Sequence, residues 1–319
     1  MRRELAPICL FVYNRIDETM QTIDALKANY LSSESDLIIY SDGFKNSTDK
    51  ESVINIRFYL KEISGFRSIV IRESGVNKGL AQSVIDGVTE VLTSHESIIV
   101  LEDDLITTPN FLDFMNQGLQ TYSLTNNVMS INGFSINVGE GKGIKDNDVF
   151  FHNRTHSWGW ATWENRWEKE MFDVDKIKLE INDEILVLFK NKCGEDISRM
   201  LLDSLSGKND SWYVRWVFRH FLQNKIALFP FYSKVKNIGY GENATHCKSI
   251  DVLKTLHDNK FYQVFNYPEI PSIDPIINNR FLSYFSYRYK FWFRFFLIFK
   301  SNGIAILLKD VRQKLFRSN

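Results

Sequence analysis

Cysteine is scarce in this chain. Cys9, Cys193 and Cys247 are its 3 cysteines, odd in number and without a Cys-x-x-Cys pair, which excludes a disulfide framework or a structural zinc site as the basis of the fold. A reducing, cytoplasmic compartment is the expectation that follows. Net charge is lacking too: 39 Lys and Arg balance 39 Asp and Glu, so no global field recruits nucleic acid or membrane, and any such contact rests on a local patch. No uninterrupted apolar run reaches the roughly 18 residues of a spanning helix. The basic start MRRELAPICLFVYN runs straight into Asn14-Arg15 without a small-residue cleavage site, so it is not read as a signal peptide. Internal repeats and low-complexity linkers are missing as well. What the chain does have is 44% hydrophobic and 14% aromatic content over 319 residues, ample for one large domain or two modest ones.

The first hundred residues alternate between two textures. ICLFVY (8–13), DLIIYSDG (36–43), SIVIRE (68–73) and SIIVLEDD (97–104) are strand-like and apolar. Between them, 17–28, 49–63 and 79–92 carry apolar residues at helical spacing, and Thr108-Pro109 reads as the N-cap and first-turn proline of a further helix. Apolar strands alternating with helices predict an α/β fold with a mostly parallel sheet covered on both faces. In such sheets ligands sit outside the carboxyl ends of the strands. Four successive strands close there on polar side chains: Asn14-Arg15, Ser41-Asp42-Gly43, Glu73 and Glu102-Asp103-Asp104.

Three adjacent carboxylates repel one another, and a divalent cation between them relieves the conflict. A hard, oxygen-only set suits Mg²⁺ or Mn²⁺, which commonly bind through one or two carboxylates plus substrate phosphates, so the expected ligand is a metal-bound diphosphate. The competing reading is an acidic cap favouring the next helix through its dipole.

Beyond residue 125 the texture changes. VMSINGFSIN suggests another strand, and HNRTHSWGWATWENRWEKEMF packs four of the 7 Trp into about ten residues. Trp158, Gly159 and Trp160 suit a ligand wall, Trp158 and Gly159 above all, because a flat aromatic face covers the apolar side of a ring and glycine permits close approach. Trp160, Trp163 and Trp167 fall at helical spacing, the sign of a buried stripe. Segments 183–206 and 211–225 read as helices, and IALFPFYSKV as strand-like, followed by NIGYGENATHC. From Ile276 onward stand nine Lys or Arg against the single acid Asp310, among many aromatics. That mixture suits the interface of an anionic membrane; a terminal helix packed on the core with a basic outer face is the alternative.

The ordered series PICLFVYNR, SDG, NKGLAQSVIDGV, VLEDDLITTPNFL, SWGWATWENRW and NIGYGENATHC resembles bacterial family-2-type GT-A glycosyltransferases, with kinship to the N-acetylglucosaminyltransferase I family, over about residues 6–250. The resemblance implies a GT-A (Rossmann-like) domain over 1–250, with a nucleotide-sugar half (1–125) and an acceptor half (126–250), then a C-terminal extension (251–319). It implies that Asp104 ligates Mn²⁺ or Mg²⁺ on the donor diphosphate, with His246 as a second ligand. Glu102 and Asp103 would contact donor sugar and ribose, and Asp42 the base or ribose. Asn14, Arg15, Lys78 and Gly79 would line the nucleotide pocket, where an Arg fork and a Lys point charge suit a diphosphate. Related sequences place the catalytic base beside a Trp, before or after it; Tyr213 follows Trp212 here, which leaves Asp210, a residue equally placed to cap the helix behind it.

The expected function is transfer of a hexosyl or N-acetylhexosaminyl group, with inversion, from a nucleotide-diphosphate sugar to a glycan or lipid-linked glycan in capsule or lipopolysaccharide assembly. The expected place is the cytoplasm, peripheral on the inner face of the membrane, with no nucleic acid partner. A sugar-phosphate nucleotidyltransferase shares the sheet and the metal-bound diphosphate but opens with a glycine-rich basic loop that YNRIDE lacks. A non-catalytic glycan-binding module would not depend on the acids.

Overall fold

Each early apolar run becomes a strand because an amphipathic helix follows to cover it. The computed structural model describes residues 4–139, 147–239 and 255–299. Ile8–Val12 (β1), Asp36–Ser41 (β2), Ser68–Glu73 (β3) and Ser97–Glu102 (β4) lie parallel in the order β3-β2-β1-β4. Ile16–Lys27 (α1), Ser47–Leu60 (α2) and Leu80–Leu92 (α3) connect them, within one helical turn of the predicted bounds. Leu105–Thr107 (β5), Phe111–Thr121 (α4), Val128–Asn132 (β6), Val149–His152 (β7) and Trp160–Trp163 (β8) follow. Then come Val174–Glu180 (α5), Asp183–Cys193 (α6), Ile197–Leu205 (α7), Trp212–Leu222 (α8), Ile226–Pro230 (β9), Val235–Asn237 (β10), Pro275–Tyr284 (α9) and Tyr287–Leu297 (α10).

Among the described residues the main sheet has eight strands in the order β3-β2-β1-β4-β8-β6-β9-β7. β8 and β7 run against their neighbours, and the others share one direction. The chain is thus an α/β protein with a mixed, mostly parallel sheet flanked by helices. Under one face, Ile23 and Leu26 of α1, Ile56 of α2 and Phe111 and Phe114 of α4 form one core; under the other, Val84 and Val88 of α3 and Trp212 and Trp216 of α8 form a second. The second half therefore completes the first half's sheet.

Local expectations change in four places. SWGWATW is not helical: 160–163 is the strand β8, pairing Val100 with Trp160 and Ser97 with Trp163. A spacing of three along a strand puts two side chains on opposite faces, so Trp160 joins the α3/α8 core and Trp163 the α1/α4 core. The helix expected at Thr108-Pro109 begins at Phe111, because 105–107 is drawn into the antiparallel pair β5–β10. The helix expected over 183–206 breaks at Gly194 (φ 115°) into α6 and α7. Finally, no break in packing follows residue 255. Phe265 lies in the α1/α4 core, the Tyr267 hydroxyl donates to the Phe114 carbonyl (2.8 Å), and Phe281 packs with Phe150 and Phe229. Helix α9 is anchored by Asp274, whose side chain accepts from the amides of Ile276 and Ile277, with Pro275 in the first turn.

Candidate functional site

The turn after β4 is held open from two sides. Thr22, buried on α1, donates its hydroxyl to the Asp103 carbonyl (2.9 Å) and accepts the Leu105 amide (3.1 Å), pinning the turn to that helix. Arg15, leading into α1, forks onto both acids: Nη1 donates to Asp104 Oδ2 at 3.0 Å, and Nη2 pairs with Asp103 Oδ1. The Tyr13 amide donates to Asp103 Oδ2 (3.2 Å), and Asn237 Nδ2 approaches Asp104 Oδ1 (3.4 Å). Asp103 and Asp104 are buried, and Glu102, the last residue of β4, is paired with Phe11 in the sheet.

Burial raises Asp103 to about 6, with Arg15 pulling it down and Asp104 pushing it up. Burial, then the charges of Asp104 and Asp103, raise Glu102 to about 8. For Arg15 burial acts downward, but Asp103 and Asp104 outweigh it and hold the guanidinium charged. Arg15 thus pairs with Asp103 and Asp104 while Glu102 holds its proton, and two acids facing one guanidinium leave surplus negative charge on hard oxygen donors. That donor set fits Mg²⁺ or Mn²⁺. Among the described residues no group of three Asp, Glu, His or Cys side chains is poised to hold a metal. His246, the expected further ligand, lies outside the described residues. The chain sets out toward it from Gly239, where an added Cβ would stand 1.9 Å from Asp104 Oδ2; only glycine lets the backbone come so near the acid.

The other nucleotide-side candidates are already engaged within the protein. Asp42 is buried and saturated: Oδ1 accepts the amides of Gly43 and Lys78 (both 2.9 Å), and Oδ2 accepts Gly79 N (2.9 Å) and Asn77 Nδ2 (3.1 Å). It ties the end of β2 to the loop that opens α3. Asn14 donates to Asp49 Oδ1 on α2 (3.1 Å), beside the Tyr13 hydroxyl on Oδ2 (2.9 Å). The Lys78 ammonium lies 3.7 Å from Asp86, which Lys169 also reaches at 2.7 Å.

Trp158 and Gly159 lead into β8, and because β8 runs antiparallel to β4 they arrive at the edge where β4 ends. Gly159 has φ 64°, and a Cβ there would meet Val235 Cγ2 at 2.8 Å. Trp158 meets Phe134 and His156 edge-on, with ring centroids 4.6 and 4.7 Å away. His156 belongs to this wall and was missed in the sequence, although it stands two residues before Trp158. Burial, then the charge of Arg154, pushes its imidazole down to about 3, so it is neutral at physiological pH.

Asp210 precedes α8 at the same edge, since Trp212 packs on Trp160 (5.2 Å) and Tyr213 lies 5.8 Å from His156. It is not the cap: the Ser211 side chain accepts the Val214 amide, while the exposed Asp210 pairs with Arg215 Nη2 at 2.8 Å. A cavity of about 260 Å³ lined by Asn126, Arg166 and Lys225 opens where β6 and β9 begin, the opposite edge of the sheet.

Fold and site together define an α/β protein with charged and aromatic groups gathered at the carboxyl ends of its strands, where such sheets bind ligands. No family model matches the chain, and no curated protein matches it. Among solved structures it is similar to the mannosyltransferase PcManGT from Pyrobaculum calidifontis in complex with GDP-Man and Mn²⁺, with 10% identity over 51% of this chain and 48% of that one, TM-score 0.33. It is similar to S. aureus TarS 1-349 (9% identity, 73% of this chain, 60% of that chain, TM-score 0.38) and to a UDP-glucose pyrophosphorylase complexed with UDP-glucose (11%, 73%, 92%, TM-score 0.34). The chain spans about half the length of the mannosyltransferase. At such scores the functional reading rests on this chain's own residues.

Proposed function

We propose that the chain is a metal-dependent glycosyltransferase that moves a hexosyl or N-acetylhexosaminyl group, with inversion, from a nucleotide-diphosphate sugar to a glycan or lipid-linked glycan of the cell surface. The observation that carries this reading is the turn after β4, where Glu102, Asp103 and Asp104 outnumber the one guanidinium between them. Asp104, with His246, would hold Mn²⁺ or Mg²⁺. When bound, that ion supplies charge neutralisation for the departing nucleoside diphosphate.

The chain's own groups do the rest. Arg15, its fork held by Asp103 and Asp104, offers its remaining N–H groups to the diphosphate, and Lys78 a point charge, on a loop that Asp42 keeps in shape. Glu102 and Asp103 accept hydroxyls of the donor sugar and ribose. Trp158 and Gly159 cover one face of a sugar ring, with His156 and Phe134 stiffening the wall. The acceptor hydroxyl attacks the anomeric carbon in line, the bond to the diphosphate oxygen breaks, and the hydroxyl proton passes to a carboxylate. Asp210 is the carboxylate proposed for it: exposed, paired with Arg215 and leading into α8, whose Tyr213 lies 5.8 Å from His156.

The test is a panel of UDP-, GDP- and CMP-sugars scored for Mn²⁺-dependent thermal stabilisation. A bound donor raises stability by about 2.7 kcal/mol at a hundredfold excess over Kd. One donor family stabilises the protein, Asp104→Ala abolishes the response, and turnover releases nucleoside diphosphate rather than pyrophosphate. Silence from every donor with metal present overturns the assignment.

A further inference from the structure

We propose that α10 docks this protein on an anionic lipid surface, its outward aromatic face entering the interface while neighbouring cations meet the headgroups. Tyr287, Phe291, Trp292, Phe295, Phe296 and Phe299 are all exposed, from 40% for Phe295 to 73% for Phe299. At 100° per residue the five within α10 fill one half of the helix circumference, with Arg288 among them and Arg294 at its margin, and Phe299 follows the helix. The opposite half, Tyr289, Lys290 and Phe293, is the half turned inward: the Tyr289 ring lies 4.9 Å from Tyr284, and Lys290 donates to Asp196 Oδ2 (3.0 Å). The helix therefore carries a broad aromatic face toward solvent, where an ordinary surface helix is polar, and the inward contacts fix which side faces out.

The charge identifies the occupant. The described residues 276–299 hold four Lys or Arg and no acid in a chain of zero net charge. Aromatics with interspersed cations match the headgroup boundary of an anionic bilayer, where each cation near the surface strengthens binding. A second copy of the same basic arm is a poor partner, because the two would repel. No helix among the described residues is long and apolar enough to cross a membrane, so α10 would lie on the surface.

The arm is also joined to the site. Phe281 of α9 shares a core cluster with Phe134, whose ring stands 4.6 Å from Trp158 and 4.4 Å from His156. Docking through α10 thus brings the aromatic wall near the lipid, where a lipid-linked acceptor would present its sugar. This last step rests on the transferase reading; lipid docking does not.

The experiment is co-sedimentation of the full chain with vesicles of phosphatidylcholine alone or mixed with phosphatidylglycerol, at low and high salt. The protein pellets with the mixed vesicles, and salt weakens the binding. The triple variant Phe291→Ser, Trp292→Ser, Phe295→Ser, which keeps every cation and an unchanged Tm, binds at least about tenfold more weakly. Brominated phosphatidylglycerol quenches tryptophan emission, and Trp292→Phe removes that quenching. Absence of binding by the native chain, undiminished binding by the triple variant, or a dimer that the triple variant dissociates without any lipid binding overturns the proposal. Donor-induced stabilisation, measured without lipid, reports on the transferase reading separately.

Discussion

Asp42 and Glu102 are both acids at strand ends, and the structure gives them opposite energetics. Asp42 accepts three backbone amides and one side-chain amide. Asp42→Asn turns a donor toward those amides and is expected to cost about 1–3 kcal/mol in urea unfolding, and to weaken the donor-induced thermal shift. Glu102 instead is crowded by burial and like charge. Between about pH 4.5 and pH 8 the folded chain holds a proton on Glu102 that the unfolded chain has released. Its contribution to stability is therefore full below the lower value and fades as pH rises through the upper one. Glu102→Gln should melt on the order of a few °C above the native chain at pH 8 in chelator, with the gap closing toward pH 5. Calorimetry across that range decides it, and a gap that widens at low pH would refute the assignment.

At the scale of elements, β8 is the piece on which the site depends. Its antiparallel insertion between β4 and β6 is what carries the Trp158-Gly159 turn to the edge where the acids end β4. Gly159→Ala meets both a left-handed backbone, about 1–2 kcal/mol for a residue with a Cβ, and Val235 at 2.8 Å. A loss of roughly 2–3 kcal/mol is expected. Gly75→Ala, where an added Cβ has nothing within 4 Å, is the neutral control. The early strands and helices were legible because period and flanking turns agree in them. The tryptophan segment was not: a spacing of three reads as a helical stripe in one dimension, and only pairing with Ser97 and Val100 makes it a strand with Trp160 and Trp163 on opposite faces. Helix α4 was placed two residues early for a related reason, since β10, far along the chain, claims residues 105–107 as its partner.

For the whole molecule, the tail divides into a structural part and an exposed part. Ile277, Phe281 and Phe285 of the α9 segment are buried against Phe150 and Phe229, and each such side chain is worth roughly 1.5–3 kcal/mol. A chain ending at residue 274 is expected to lose an amount comparable to a typical folding stability of about 5–15 kcal/mol. A chain ending at residue 286 keeps α9 and should unfold at nearly the native urea midpoint. Equal midpoints for the two truncations would show that α9 does not belong to the core.

That Asn14-Arg15, Asp42 and Glu102-Asp103-Asp104 close strands on the same edge of one sheet was determined by sequence alone, because apolar runs alternating with amphipathic helices make a parallel sheet. What each of those residues is bonded to was decided by the tertiary structure. Arg15 lies 89 positions from Asp104 and Asp42 lies 36 from Lys78, and such partners meet only when the strands pair. His156 joined the site, and Asp210 gave up the helix cap to Ser211, for the same reason. Hydrogen bonds and charge act through space over a few ångströms, whereas periodicity records only neighbours along the chain.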